Sequence, residues 1–208
     1  MQLTPIRLQV VQIEDDLKAF RALLNQKKEL GERDDILPFF KAHPHLSAFL
    51  ANFSNAAVPD CYAHEYQIGG NFACDLLAGS SASNDYVFVE FEDAKAESIF
   101  RIDKKRKVPE WSARFEHGFS QIVDWFYYLD DIRQTQQFRR DFPAGAPSFI
   151  GMLVIGRSSF LTPADKDRLI WRKDKVQINT HHVLIYTFDE LLERLQDRID
   201  ALKRLVFQ

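Results

Sequence analysis

The stretch Phe72-Ala-Cys-Asp-Leu-Leu-Ala-Gly-Ser-Ser-Ala-Ser-Asn-Asp-Tyr-Val-Phe-Val-Glu-Phe-Glu-Asp93 decides how the chain folds. Its two apolar runs, 72–78 and 86–91, flank a Gly/Ser/Asn/Asp turn, which predicts an antiparallel hairpin. Alternation along the second run puts Tyr86, Phe88, Glu90 and Glu92 on one face and Val87, Val89 and Phe91 on the other. The two glutamates then stand roughly 6.5–7 Å apart along the strand, with Asp75 of the preceding strand opposite or diagonal to Glu90. Carboxylates are rarely buried in core strands unless they are paired or hold a metal. Two explanations therefore stand side by side. The acids share a hard cation such as Mg²⁺ or Mn²⁺, which favours carboxylate oxygens, or they lie at a strand end and pair with Lys or Arg.

Working outward, residues 14–30 carry Leu17, Phe20, Leu23 and Leu24 at helical spacing and stop at Gly31, with a possible strand over 8–13. Asp34 and Asp35 open a second helical stretch that runs past His43-Pro44-His45 to Leu50. C-terminal to the hairpin, residues 112–138 read as one long amphipathic helix with Phe115, Phe119, Ile122, Phe126 and Leu129 on its buried stripe. Residues 149–155 have the continuous apolar character of a central strand, and 182–186 form another. Thr187-Phe-Asp-Glu190 is a capping box that opens a final helix. This divides the chain into an N-terminal helical section, 1–58, and an α/β domain, 59–208.

The 208 residues, 46% of them hydrophobic and 18 of them Phe, suffice for one core built on aromatic anchors. A net charge of −3 gives no global footprint for nucleic acid, although 101–107 and 168–175 are locally basic. Cys61 and Cys74 lack the number and spacing of a disulfide framework or zinc site. No apolar window is long enough for a membrane span, and no signal peptide is recognisable, so a soluble cytoplasmic protein is expected.

Gln121 and Trp125 share a face of the predicted long helix, where a Gln could bond a water or a phosphate, or simply lie at the surface. With these residues in place, the chain resembles the Shedu family of bacterial anti-phage defence proteins, whose C-terminal domain belongs to the PD-(D/E)XK nuclease superfamily. The resemblance rests on Glu65-Tyr-Gln-Ile-Gly-Gly-Asn-Phe-Ala-Cys-Asp75, Tyr86-Val-Phe-Val-Glu-Phe-Glu-Asp93, Phe119-Ser-Gln-Ile-Val-Asp-Trp125, Val154-Ile-Gly-Arg157 and Ile185-Tyr-Thr-Phe-Asp-Glu-Leu-Leu192, in that order.

The resemblance implies a restriction-endonuclease-like α/β fold, a mixed sheet flanked by helices, that cuts DNA with Mg²⁺ or Mn²⁺. By position, Asp75 and Glu90 become the main metal ligands. Glu65 becomes a further metal-binding acid from a preceding helix or loop, and Gln121 a residue orienting water or phosphate. Arg157 becomes either a phosphate contact or half of a salt bridge. Lys95, the nearest possible substitute for the superfamily's lysine, and Lys104 and Lys105 of the basic run 101–107 are taken as candidate DNA contacts.

The sequence departs from the superfamily at one position: Glu92 stands where a lysine is usual. A glutamate there could act as general base or further metal ligand, or mark a nuclease fold that binds DNA or a partner without cutting. A homo-oligomer is expected by analogy with the family.

Overall fold

The computed structural model describes residues 3–206 apart from 57, 71, 103–107, 143, 144, 146, 179 and 180. Strand β1 (Thr4–Pro5) is followed by α1 (Val10–Gln26), a π-helical turn (Glu32–Ile36), α2 (Leu37–Ala42) and α3 (Pro44–Phe49). Next come β2 (Cys61–Ile68), β3 (Phe72–Ser80), β4 (Asp85–Phe91), two short strands β5 (Phe100–Arg101) and β6 (Glu110–Trp111), then α4 (Ala113–Ile132) and α5 (Gln136–Asp141). After these follow β7 (Ser148–Val154), α6 (Pro163–Lys175), β8 (Gln177–Ile178), β9 (His181–His182), β10 (Leu184–Tyr186) and α7 (Phe188–Val206).

Six strands form one mixed sheet in the order β1-β2-β3-β4-β7-β10, which makes the fold α/β as expected. The predicted hairpin is there: β3 and β4 run antiparallel from Leu76↔Val89 to Ser80↔Asp85. Strand β4 is then joined by β7 in parallel, and β7 by β10 in parallel, so β3, β4 and β7 have neighbours on both sides. That position accounts for the continuous apolar character of β7, since a strand covered on both faces has no solvent side to make polar.

The two faces of the sheet carry two separate cores. Leu76, Ala78, Val87, Val89, Phe91, Met152 and Val154 pack with Ile13, Leu17 and Phe20 of α1, Phe40 of α2, Leu46 and Phe49 of α3, and Leu195 and Ile199 of α7. Cys74, Leu77, Tyr86, Phe88, Phe149 and Leu153 face the other way, onto Phe115, Ile122 and Trp125 of α4, Phe138 of α5 and Leu169 of α6. The 1–58 and 59–208 sections thus share the first core. No helix among the described residues is long and apolar enough to cross a membrane.

Three local expectations are corrected. Residues 8–13 do not form a strand: α1 starts at Val10, and Ile13 begins the stripe Ile13, Leu17, Phe20, Leu24, whose three-to-four spacing overrides the β-branched run Val10-Val11. The segment 112–138 is two helices, because α4 ends at Ile132 and the Thr135 hydroxyl accepts the Phe138 N–H to cap α5. The stretch opened by Asp34 and Asp35 begins as the π-helical turn, with Asp35 accepting the Gly31 N–H at 2.9 Å. The Thr187–Glu190 capping box is formed in both directions, at 2.9 and 3.1 Å.

Helix α4 can approach β7 because Gly151 has no side chain; a Cβ there would lie 2.4 Å from Ile122 Cγ2 and 2.9 Å from Phe126 Cε2. Gly151→Ala is therefore expected to cost about 1–3 kcal/mol by overpacking, lowering the melting temperature by roughly 2–10 °C. Thermal denaturation followed by circular dichroism measures it.

Candidate functional site

The β2–β3 register pairs His64 with Leu76 and Tyr66 with Cys74, so Glu65 stands beside Asp75. Continuing the β3–β4 register one step past Leu76↔Val89 brings Asp75 beside Glu90. Three acids thus lie in one row across three strands. The row is also where the strands lose their regular alternation. Cys61 and Ala63 of β2 face α4, but so do Tyr66 and Ile68, and Glu65 between them has a left-handed φ of 51°. On β3, Cys74 and Leu77 face α4 while Leu76 and Ala78 face the opposite core. A non-glycine residue with positive φ inside a strand is strained, and such strain persists where the surrounding structure fixes it. Here it releases Asp75 from the regular ladder, and its Oδ2 accepts the Phe91 N–H at 2.8 Å instead.

On β4 the predicted alternation is kept. Tyr86 and Phe88 lie in the α4-side core while Val87, Val89 and Phe91 lie in the other. Glu90 and Glu92 are both buried, and each meets α4: Gln121 hydrogen-bonds the Glu90 carboxylate, and Arg114 Nη1 donates to Glu92 Oε2. The acid row forms part of a cleft of about 850 Å³ whose walls include Glu32, Asp93, Lys95, Arg114, His117 and Gln121.

Counter-charge divides the acids into two classes. Glu92 pairs with Arg114, and Glu65, half-exposed, pairs with Lys41 at 2.9 Å. Asp75 and Glu90 pair with no described lysine or arginine. Burial raises the Glu90 carboxyl far above the ordinary range, and the neighbouring Asp75, Glu92 and Glu32 charges push it further while Gln121 opposes them. Burial likewise raises Asp75, against the Phe91 N–H, with Glu32, Glu92 and Glu65 adding to the rise. Glu92 is also raised by burial, though its bond to Arg114 opposes the shift.

The expected site residues are therefore gathered only in part. Asp75, Glu90 and Gln121 come together as anticipated, with Trp125 buried behind them against Phe88. Among the described residues no group of three or more His, Cys, Asp or Glu side chains is arranged to hold a metal ion, so the larger acid set does not close around one point. The reason is the pairing just described, which engages Glu92 and Glu65 elsewhere. Glu65 lies in a strand, not in the helix or loop that the resemblance implied. Arg157, outside the cleft lining, is 9% exposed and forks onto Asp189 at 2.8–3.0 Å, with a further bond to the Lys27 carbonyl; of its two readings the salt bridge is the one formed. Lys95 lies on the cleft wall and pairs with Asp93 at 3.2 Å. Lys104 and Lys105 lie outside the described residues.

Two cleft residues on α4 escaped the sequence reading, as did Glu32 opposite them. His117 and Arg114 precede Gln121 by four and seven residues on α4, so all three share one helical face. That spacing was the available signal once Gln121 was placed.

A family model described as Shedu protein SduA, C-terminal, matches residues 30–192. No curated protein sequence matches the chain. The matched span takes in the whole acid row, its three strands, α4 and the Arg157–Asp189 pair. The chain therefore belongs to the Shedu family of anti-phage defence proteins.

Proposed function

We propose that the cleft is the active site of a divalent-metal-dependent DNA endonuclease, acting in anti-phage defence. The observation that carries the reading is the Asp75–Glu90 pair: a half-buried and a buried carboxylate side by side in a family-matched cleft, neither balanced by a described cation. An ionised carboxylate held out of water without a partner costs several kcal/mol, and a bound cation removes that cost. Two carboxylates are what Mg²⁺ ordinarily takes from a protein, keeping water in its other positions. The donor set thus fits Mg²⁺ or Mn²⁺ on Asp75 and Glu90, without the additional acid ligands.

When bound there, the ion supplies Lewis acidity at the phosphoryl oxygens. The side chains of the chain do the remaining work. Asp75 is fixed by the Phe91 N–H, and Glu90 by the Gln121 amide. Gln121 Oε1 is buried without a partner among the described residues, and can accept a hydrogen from a water placed beside the phosphorus. Hydrolysis joins that water's oxygen to phosphorus and breaks one P–O ester bond. One water proton goes to the departing alcohol and the other stays with the phosphate monoester.

A second reading, a nuclease fold that binds without cutting, is favoured by the acidity of the cleft, whose wall carries seven carboxylates against three Lys and Arg. Such a surface repels a phosphate backbone until a cation neutralises it. The two readings separate cleanly. Under the first, purified protein nicks or cuts plasmid DNA only with Mg²⁺ or Mn²⁺, and Asp75→Ala or Glu90→Ala reduces cleavage to background while the fold survives. DNA binding with no cleavage in either metal would establish the second.

The raised carboxyl groups also predict a stability effect. A carboxyl whose folded pKa lies above its unfolded value makes the native state bind more protons, so stability falls as pH rises beyond about 4.5, the ordinary glutamate value. Without metal, Glu90→Gln should raise the melting temperature by a few degrees, on the order of 1–3 kcal/mol, more at pH 8 than at pH 5. Adding Mg²⁺ or Mn²⁺ should raise the melting temperature of the parent protein and leave that of Glu90→Gln nearly unchanged. Differential scanning fluorimetry measures both arms.

A further inference from the structure

We infer that Arg114 is the group that contacts the scissile phosphate, and that Glu92 is a positioning residue that holds it, taking no proton and binding no metal. The inference rests on the endonuclease reading and assigns two residues within it. Glu92 is 2% exposed, and its carboxylate lies beneath α4. Gly118 makes this possible: a Cβ at that position would stand 3.1 Å from Glu92 Cγ and 2.8 Å from Leu153 Cδ1. Glu92 borders the cleft, but a carboxylate 2% exposed and already bonded to a guanidinium is poorly placed to take a proton from a water there, since geometry precedes basicity in choosing a general base.

Arg114 has the opposite surroundings. It lies on the cleft wall, its side chain is 43% exposed, and its charge is held at the base by two contacts, Nη1 on Glu92 and Nε on Asp93 at 3.3 Å. Nη1 also reaches Glu32 across the cleft at 3.0 Å. Its Nη2 amino group has no acceptor among the described residues. A guanidinium presents five N–H donors in a planar fork, so the two fixed atoms orient the free one, and a phosphate is the acceptor whose geometry matches. Two turns along the same face stands Gln121, bonded to Glu90. One side of α4 therefore carries both a donor for the phosphate and a brace for the carboxylate pair. A donor fixed before the reaction stabilises charge developing on the transferred phosphoryl group, which is where most catalysis of phosphate transfer arises.

The cleavage assay tests this with four variants, scored by kcat and KM on a plasmid or short duplex with Mn²⁺. Arg114→Ala is expected to lower kcat by about 10²–10³-fold while changing KM by less than about fivefold. Arg114→Lys, which keeps the charge but loses the fork, should retain more activity than the alanine variant. Glu92→Gln should lower kcat by roughly tenfold, because it loosens the anchor without removing the donor. The double variant Glu92→Lys with Arg114→Ala is the discriminating case. A lysine amine from position 92 would end where the guanidinium now meets the carboxylate, and should recover at least tenfold over Arg114→Ala although no 92–114 ion pair remains. Melting curves identify any variant that fails to fold; Arg114→Lys and the double variant then carry the test. Full activity in Arg114→Ala, alongside inactive Asp75→Ala, would overturn the inference and leave the endonuclease reading standing. Parent protein that cuts no DNA with either metal would overturn both.

Discussion

The rest of the site depends on one electrostatic constraint: Asp75, half-buried, and Glu90, buried, are held side by side at the floor of the cleft by two paired strands. The pairing itself is hydrophobic in origin. Leu76, Leu77, Ala78, Val87, Phe88 and Val89 are all at most 1% exposed and lock the β3–β4 register from both faces. A slip of one residue would turn every one of these side chains to the wrong core, so the register is strongly specified. The acids inherit that rigidity. Their positions are set by the burial of their neighbours, while their own charges oppose the arrangement.

The protein offsets this opposition unevenly. The acids around that pair receive local partners: Lys41 for Glu65, and Arg114 for Glu92 and Glu32. Among the described residues, Asp75 and Glu90 receive neutral donors, the Phe91 N–H and the Gln121 amide. Such bonds to a charged group contribute about 1.5–3 kcal/mol each. The surplus unfavourable charge is tolerable because the two cores are rich in aromatic contact. Phe40 stacks on Phe91 at 4.2 Å on one face, and Phe88 meets Phe149 at 5.1 Å and Trp125 at 6.5 Å on the other. The strands that carry the acids are thus braced by large rings on both sides.

Much of this was legible in the sequence. Alternation in Tyr86–Phe91 placed Glu90 on the face of Tyr86 and Phe88, and the Thr187–Glu190 capping box was readable from four residues. The parts that were not legible share a cause. The row of Glu65, Asp75 and Glu90 needs a left-handed residue inside β2, and no residue type there announces it, since Glu65 is not glycine. Arg114 reaches Glu92 across 22 positions of sequence, and only the packing of α4 onto β4, permitted by Gly118 and Gly151, brings them together. The end of α4 was missed because Thr135 caps a new helix inside what continues as an amphipathic pattern. Local periodicity reports faces; it does not report which faces meet.

The position of Glu92 follows from the same distinction. Read along the chain, a glutamate two residues from Glu90 on the same face looks like one more ligand or a base. In the fold, the same alternation delivers it under the first turns of α4, where Gly118 leaves room for its carboxylate and little for water. A buried carboxylate in such a place requires a cation, and the cation available is Arg114, whose other contacts lie on the cleft wall. Arg114 is shared among Glu92, Asp93 and Glu32, so this point of the cleft carries no net positive charge, and what the pair offers a phosphate is an oriented N–H donor. A glutamate at position 92 that orients such a donor is compatible with a site that must receive phosphate.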